Sequence, residues 1–295
     1  MLPELPSSAV RRALAVELRR LREHAGMPGD DVAARLGWSG SKVSRIETHR
    51  TGVKMDDLEL LLDLYAVDDT QRSQLRALGE EQEARGWWTP YASSFSPTYI
   101  AYIGLEAAAE SIHCWSPELI HGLLQTEDYA RAATSTAFGS PSPVSPGEIQ
   151  RLIDVRLRRQ EMLSQPGQRQ FVFILDEATL RHRFGNPQLM RAQLSQVEEL
   201  SHLPRITIRV LPFSGSYPIG PGGFALLQFA PVHGTSLSDV VYMEHLTGNS
   251  FVEAEAETYE YKLAFDRLME KALDEDASRK LVMKIAKDIW SDRMA

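Results

Sequence analysis

Residues 29–50, GDDVAARLGWSGSKVSRIETHR, carry the spacing that most restricts how this chain can fold. A small residue, Ala33, is followed four positions later by Gly37, and the apolar Val43 and Ile46 come six and nine positions beyond the glycine. Glycine adopts a positive φ without a Cβ clash, so it suits a tight turn between helices. The spacing therefore predicts two short helices that cross at about 90–120°, which is a helix-turn-helix.

The second of these helices, predicted over residues 39–48, turns its polar side chains outward. Val43 and Ile46 lie three positions apart, so they share one face and anchor the helix. In a helix-turn-helix the first residues of this helix meet base edges, and Lys and Arg contact phosphates or guanine. The candidate DNA-binding residues are Ser39, Gly40, Ser41, Lys42, Ser44, Arg45, Arg50 and, from the helix before, Arg35. A generic αα-hairpin in a helical bundle is the alternative, and the cationic outer face argues against it.

The charge distribution supports a DNA-binding N-terminal end, although the net charge of the whole chain is −8. Residues 1–50 hold nine Lys/Arg against six Asp/Glu, a net charge of +3. Residues 51–86 carry −5 and residues 87–295 carry −6. A basic end on an acidic body suits a protein that presents that end to a polyanion.

Length and composition indicate a globular protein of about two domains. No apolar run approaches the roughly 20 residues that a membrane-spanning helix needs, and the first residues lack the pattern of a signal peptide. The single cysteine, Cys114, excludes an intramolecular disulfide and is typical of a reducing compartment. We therefore expect a cytoplasmic, nucleoid-associated protein with no membrane contact.

The remaining pattern divides the chain into two domains, a mainly α domain over residues 1–88 and an α+β domain over residues 98–295. Apolar spacing predicts five helices in the first, over residues 8–25, 30–36, 39–48, 54–65 and 69–85. Between the domains, residues 89–97 form an aromatic junction with Trp87 and Trp88 before it. We favour a packing role for these aromatic rings over a platform that stacks bases.

In the second domain the pattern alternates between helices and short β-branched strands. Helices are expected over residues 98–113, 117–135 (a helical region), 147–164, 187–202, 254–273 and 278–290, with a flexible loop over 139–147. Strands are expected over residues 171–175, 206–211, 224–229, 239–244 and 250–253. Together they predict one central sheet flanked by helices.

Motifs for catalysis and metal binding are weak in this sequence. Ser39 and Lys42 match the S-x-x-K of serine acyl-enzymes, but they lie inside the helix-turn-helix and the companion motifs are absent. The Gly-rich residues 215–224 lack the Lys-Ser/Thr and the Rossmann spacing of phosphate-binding loops. The histidines and the cysteine show no zinc spacing. We expect no catalytic residues, no cofactor and no metal, and therefore not an enzyme.

Motifs in both predicted domains resemble a known family. LRRLREHAGMPGDDVAARLGWSGSKVSRIETHRT, within residues 8–88, is similar to the actinobacterial Xre-type (lambda-repressor-like) helix-turn-helix domain. YIGLEAAAESI (102–112), GLLQTEDYARA (122–132), RLRRQ (156–160), LDEATLR (175–181) and VVYMEH (240–245) resemble the C-terminal domain of antitoxin-like regulators of the WhiJ type. Two positions depart from the family: Gly40 stands where relatives carry Gln, and His121 where they carry Pro before GLLQT. Because Gln can bond adenine and Gly cannot, sequence recognition shifts toward Ser41, Lys42 and Arg45, or toward DNA shape.

The family-like motifs also contain the polar residues that could bind a partner or ligand. These are Glu106, Arg156, Arg159, Gln160 and Glu177, with Glu244 beside them. Arg156 and Arg159 share a helix face, and Glu106 or Glu177 could pair with them across the fold. A structural ion-pair network is the alternative interpretation and the one we favour slightly.

These patterns predict a homodimeric transcriptional regulator that binds double-stranded operator DNA, with half-sites about one turn, 34–36 Å, apart. The resemblance implies a small toxin-like partner protein, encoded nearby, that docks on the second domain and changes DNA binding. Two alternatives stay open. The second domain could be an enzyme or a ligand-sensing module with DNA binding secondary, or the protein could be an antitoxin scaffold that mainly sequesters its partner.

Overall fold

Five helices follow one another at the N-terminal end of the computed structural model, which describes residues 7–49, 51–82, 86–135, 145–214, 222–245 and 247–291. They are α1 (Ser7–His24), α2 (Gly29–Leu36), α3 (Gly40–Glu47), α4 (Met55–Leu64) and α5 (Asp69–Glu81). The predicted order of five helices is confirmed.

One apolar face of α1 forms the centre of this helical group. Val10, Leu14, Leu18 and Leu21 recur every three or four residues and are at most 7% exposed. They belong to the same core as the buried leucines of α4 and α5. Burying each such side chain contributes about 1.5–3 kcal/mol, so this face holds the short helices α2 and α3 in place.

The turn between α2 and α3 follows the geometry that the spacing predicts. Gly37 ends α2 in the left-handed region with φ 67°. The amide of Trp38 then donates to the carbonyl of Ala33 at 2.8 Å, which satisfies the end of the helix. Ala33 is 4% exposed. Its small side chain lets the two helices cross closely.

The chain divides into two compact units. Unit 1 contains residues 1–92, 100–109 and 229–238, and unit 2 contains residues 93–99, 110–228 and 239–295. Unit 1 thus includes two segments of the predicted second domain, whose Val232 and Leu237 are buried in the helical core. The boundaries 1–88, 89–97 and 98–295 stay a prediction.

Unit 2 is built on a six-stranded mixed sheet with the order β3-β2-β1-β4-β5-β6. The strands are β1 (Ser111–Ser116), β2 (Gln170–Asp176), β3 (Ile206–Leu211), β4 (Phe224–Gln228), β5 (Val240–His245) and β6 (Gly248–Val252). β1, β2 and β3 run parallel, and β4 pairs antiparallel with both β1 and β5. The predicted α+β class and five of the strands are confirmed.

The expected helix over residues 98–113 is wrong at its C-terminal end. The helix α6 (Pro97–Ala108) stops early, and β1 begins at Ser111. β1 lies in the middle of the sheet because β2 and β4 both hydrogen-bond to it. Its sequence, SIHCWS, has little of the β-branched character that identifies a strand, so only long-range pairing reveals it.

Among the described residues, the α-helices that lie wholly in unit 2 are α7 (Glu127–Ser135), α8 (Pro146–Ser164), α9 (Glu177–Arg181), α10 (Pro187–Leu200), α11 (Glu255–Lys271) and α12 (Glu275–Asp288). The short α9 was not expected; the Asp176 side chain caps it by accepting from the Ala178 amide at 2.8 Å. α11 covers one face of the sheet, where Phe265 and Leu268 join the core. Most of the expected loop over residues 139–147 lies outside the described residues.

Candidate nucleic-acid interface

The side chains of α3 separate into a buried face and an exposed face. Val43 and Ile46 are 3% and 4% exposed, so they fix the helix in the core of unit 1. The opposite side carries Gly40, Ser41, Ser44 and Arg45, which are all exposed. We call these four residues the α3 face. They are the polar and cationic surface that the sequence placed on the second helix of the motif.

The exposed side chains near the start of α3 bond to one another. Ser39 precedes the helix with φ −83° and ψ 146°, and its hydroxyl does not cap the helix but lies 3.0 Å from the hydroxyl of Ser41. The Nη1 of Arg45 donates to Ser41 Oγ at 3.4 Å, which is a long hydrogen bond. These contacts are weak enough for water or DNA to replace them.

Lys42 differs from the other candidates because it points toward α4. Its Nζ lies 2.7 Å from Asp57 Oδ1, and its ammonium is 3.7 Å from the ring centroid of Trp38. The ion pair joins α3 to the first turn of α4, and the aromatic contact adds a cation–π interaction. Neither partner was predicted from the sequence, and Asp57 is 15 positions from Lys42 on another helix, where no local spacing indicates the pair.

The unusual Gly40 faces a carboxylate of the preceding helix. A Cβ at this position would lie 2.9 Å from Asp30 Oδ1. Any larger residue must therefore push the Asp30 side chain aside. Because Asp30 is exposed, its side chain can move.

A second ion pair fixes the C-terminal end of α3. Arg22 of α1 donates from Nε and Nη2 to the two oxygens of Glu47 at 2.7 and 3.0 Å. The hydrogen bond with Glu47 raises the pKa of Arg22 above its ordinary value. Arg22 thus fixes the position of α3. The sequence showed only that Arg22 belongs to the basic first helix and did not predict this role.

Two further candidates for DNA contact complete the predicted set. Arg35 is exposed in the last turn of α2. Arg50 lies outside the described residues.

Among the aromatic residues after α5, Trp88 packs beside Gly104 within unit 1, where a Cβ on the glycine would lie 3.2 Å from the indole.

The predicted partner or ligand residues lie on the helices α6, α8 and α9. Arg156, Arg159 and Gln160 lie together on α8 in unit 2, and Glu106 is buried on α6 in unit 1, where it accepts from Tyr102 Oη at 2.7 Å. Glu177 of α9 pairs with Arg181 at 2.5 Å and accepts from the Phe213 amide at 2.9 Å.

The α8 residues form a partly buried polar network with their neighbours. Gln160 Nε2 donates to the carbonyls of Gly122 and Gln125, both at 2.8 Å. Arg159, 4% exposed, donates to Tyr99 Oη at 2.9 Å, and Arg156 bonds the Gln125 side chain. We call Arg156, Arg159 and Gln160 the α8 cluster. Burial lowers the pKa of Arg156.

Glu244, the remaining acidic candidate, accepts from Tyr242 Oη at 3.2 Å. Burial is the main reason that the pKa of Tyr242 is raised, and the negative charge of Glu244 adds to the effect. Tyr242 is therefore neutral and acts as a hydrogen-bond donor.

Two known families match parts of the chain. Residues 99–284 match the family described as "domain of unknown function (DUF5753)". The chain belongs to this family. Residues 13–75 match a helix-turn-helix domain, which covers the segment from α1 to α5 that contains the α3 face. The DUF5753 region contains the α8 cluster.

The helix-turn-helix domain supports a DNA-binding regulator. No curated protein and no solved structure matches the chain. Within the described residues, no group of His, Cys, Asp and Glu side chains could hold a metal ion. The described helices also include none that is long and apolar enough to span a membrane.

Proposed function

We propose that this protein is a sequence-specific transcriptional regulator that binds an operator as a homodimer in the cytoplasm, and that its role is binding and not catalysis. The observation that carries the proposal is the α3 face: an exposed polar and cationic helix surface, held by the buried Val43 and Ile46 on its other side. Such a helix enters the major groove, where its first residues meet the base edges.

Selection of duplexes from a random DNA pool tests this proposal. The full chain should enrich one sequence with two related half-sites, and footprinting should place their centres about 34–36 Å apart. Sedimentation should show a dimer at the same protein concentration. Enrichment of no sequence above non-specific binding would contradict the proposal, and a monomer on a single half-site would contradict the homodimer alone.

The second part of the proposal concerns regulation by the DUF5753 region. We propose that it binds a small partner protein or ligand that modulates operator binding. The supporting observation is Arg156 Nε, which is buried and makes no hydrogen bond within the described part of the chain. A buried donor without a partner is costly, so a ligand that accepts from it would be bound favourably.

Co-expression with the product of a small neighbouring gene tests the regulatory part. A partner changes operator affinity only through its different affinity for the free and DNA-bound states. A complex whose footprint is stronger or weaker than that of the protein alone supports modulation. A stable complex from a protein that gives no footprint favours the alternative, an antitoxin scaffold that mainly sequesters a toxin-like partner. Tight binding of a small molecule to the full chain, with no protein complex, favours a ligand sensor.

A further inference from the structure

We propose that Asp57 is a specificity-determining counter-ion that keeps Lys42 out of the contact with DNA. This inference rests on the proposed DNA-binding function and deepens it. Lys42 is the central cation of α3, yet its Nζ is 2.7 Å from Asp57 Oδ1 on α4. An ammonium that is already paired neutralises no phosphate.

The ion pair between Lys42 and Asp57 is partly buried and packs against an aromatic ring. The side chains of Lys42 and Asp57 are only 32% and 19% exposed. Trp38 lies under the ammonium, 3.7 Å from its ring centroid. To reach a phosphate, Lys42 would have to leave both a carboxylate and an aromatic face, and the Asp57 charge would remain unpaired beside the DNA.

Arg45 provides the contrast on the same helix. Its guanidinium is exposed, and the hydrogen bond to Ser41 Oγ is long at 3.4 Å. Arg45 can therefore exchange this contact for a guanine edge or a phosphate at little loss. Asp57 thus selects which of the two cations takes part in recognition.

Removing the Asp57 charge tests the inference, and Asp56 offers a matched control. Both aspartates lie in the first turn of α4, so Asp57→Asn and Asp56→Asn make the same change in net charge and in the helix dipole. Asp56 is exposed, and among the described ion pairs only Asp57 is joined to Lys42. Circular dichroism and a thermal melt establish that each variant is folded.

The affinity of the full-length protein for DNA is measured at several salt concentrations. Two duplexes of the same length are used, the selected one and a non-specific one. Each added phosphate contact steepens the plot of log K against log salt by about 0.9. Asp57→Asn should steepen the slope by about that amount for each bound protomer and tighten binding about fivefold to tenfold per protomer at 0.1 M salt. Asp56→Asn should leave the slope unchanged.

Lys42→Ala in both backgrounds completes the cycle. In the wild-type background it should change the slope by well under one contact, and with Asp57→Asn it should return the slope to the wild-type value. Equal slopes for Asp57→Asn and Asp56→Asn would overturn the inference. The inference would also be overturned if Lys42→Ala alone flattened the slope by about 0.9 per bound protomer, since Lys42 would then contact DNA despite the ion pair. Failure of the wild-type protein to bind either duplex would instead remove the proposed function.

Discussion

The α3 face and the α8 cluster are built from similar residues but differ in what surrounds them. Both carry arginines with polar neighbours, and both were candidate binding sites in the sequence. On α3 the arginine is exposed and bonded weakly to Ser41. On α8 Arg159 is almost completely buried, and Gln160 is bonded to two backbone carbonyls. Exposure thus distinguishes a surface that can bind another molecule from Arg159 and Gln160, whose contacts stabilise the fold. Arg156 Nε in the same cluster keeps a donor that a ligand could use.

The largest expected effect of this difference is on stability. Arg159→Leu should lower the free energy of unfolding by about 2–3 kcal/mol, because it removes a buried charged donor from Tyr99 Oη at 2.9 Å. Chemical denaturation followed by circular dichroism measures the change.

Arg158→Leu is the matched control on the same helix. The Arg158 side chain is 53% exposed and lies 3.7 Å from Glu161, so its loss should alter stability by no more than about 0.5 kcal/mol. If the two variants are equally stable, Arg159 does not stabilise the fold, and a role in binding becomes the better interpretation for it, as already proposed for Arg156.

The α3 face should show the opposite behaviour. Arg45→Ala should leave the denaturation midpoint unchanged and weaken binding to the selected duplex by about 1–3 kcal/mol, or about 5- to 150-fold. The salt dependence should flatten by about 0.9 per bound protomer if the lost contact is a phosphate. Fluorescence anisotropy with a labelled duplex measures both.

Arg76→Ala serves as the control for charge in the same unit. Arg76 is 52% exposed and pairs with Glu59 on α4, and no described hydrogen bond or ion pair joins it to α3. Its replacement removes the same charge, so comparable weakening by both variants would show that net charge, and not a contact from Arg45, controls the affinity.

The turn before α3 should have a smaller effect. Gly37 has φ 67° and no atom within 4 Å of an added Cβ, so Gly37→Ala meets only backbone strain. We expect a loss of about 1 kcal/mol in stability. Gly29→Ala is the control, since its Cβ would make an ordinary 3.9 Å contact with Val43 and alanine favours the helix. A loss from Gly29→Ala as large as that from Gly37→Ala would mean that the positive φ does not fix the turn.

The features that the sequence predicted well are those set by neighbouring residues. The helix-turn-helix follows from local spacing around Gly37, and most strands follow from their β-branched composition. β1 was missed because its identity depends on partners far along the chain: Ser111 pairs with Gln170 on one side and Gln228 on the other. The ion pair of Lys42 with Asp57 was missed for the same reason. Burial, which separates Arg159 from Arg45, is likewise a property of the folded chain.

The smallest expected change in stability comes from substitution of Gly40. This substitution should instead alter which DNA sequence the protein prefers. Gly40→Gln places a Cβ 2.9 Å from Asp30 Oδ1, but that oxygen ends an exposed side chain that can rotate away. We therefore expect less than about 0.5 kcal/mol of change in stability. Glutamine can bond adenine through two hydrogen bonds, whereas glycine can make none. Selection from a random pool should then enrich adenine at one position of each half-site, while Gly40→Ala should keep the wild-type preference. An unchanged preference for Gly40→Gln would mean that residue 40 does not reach a base edge, and recognition by α3 would then have to begin at Ser41.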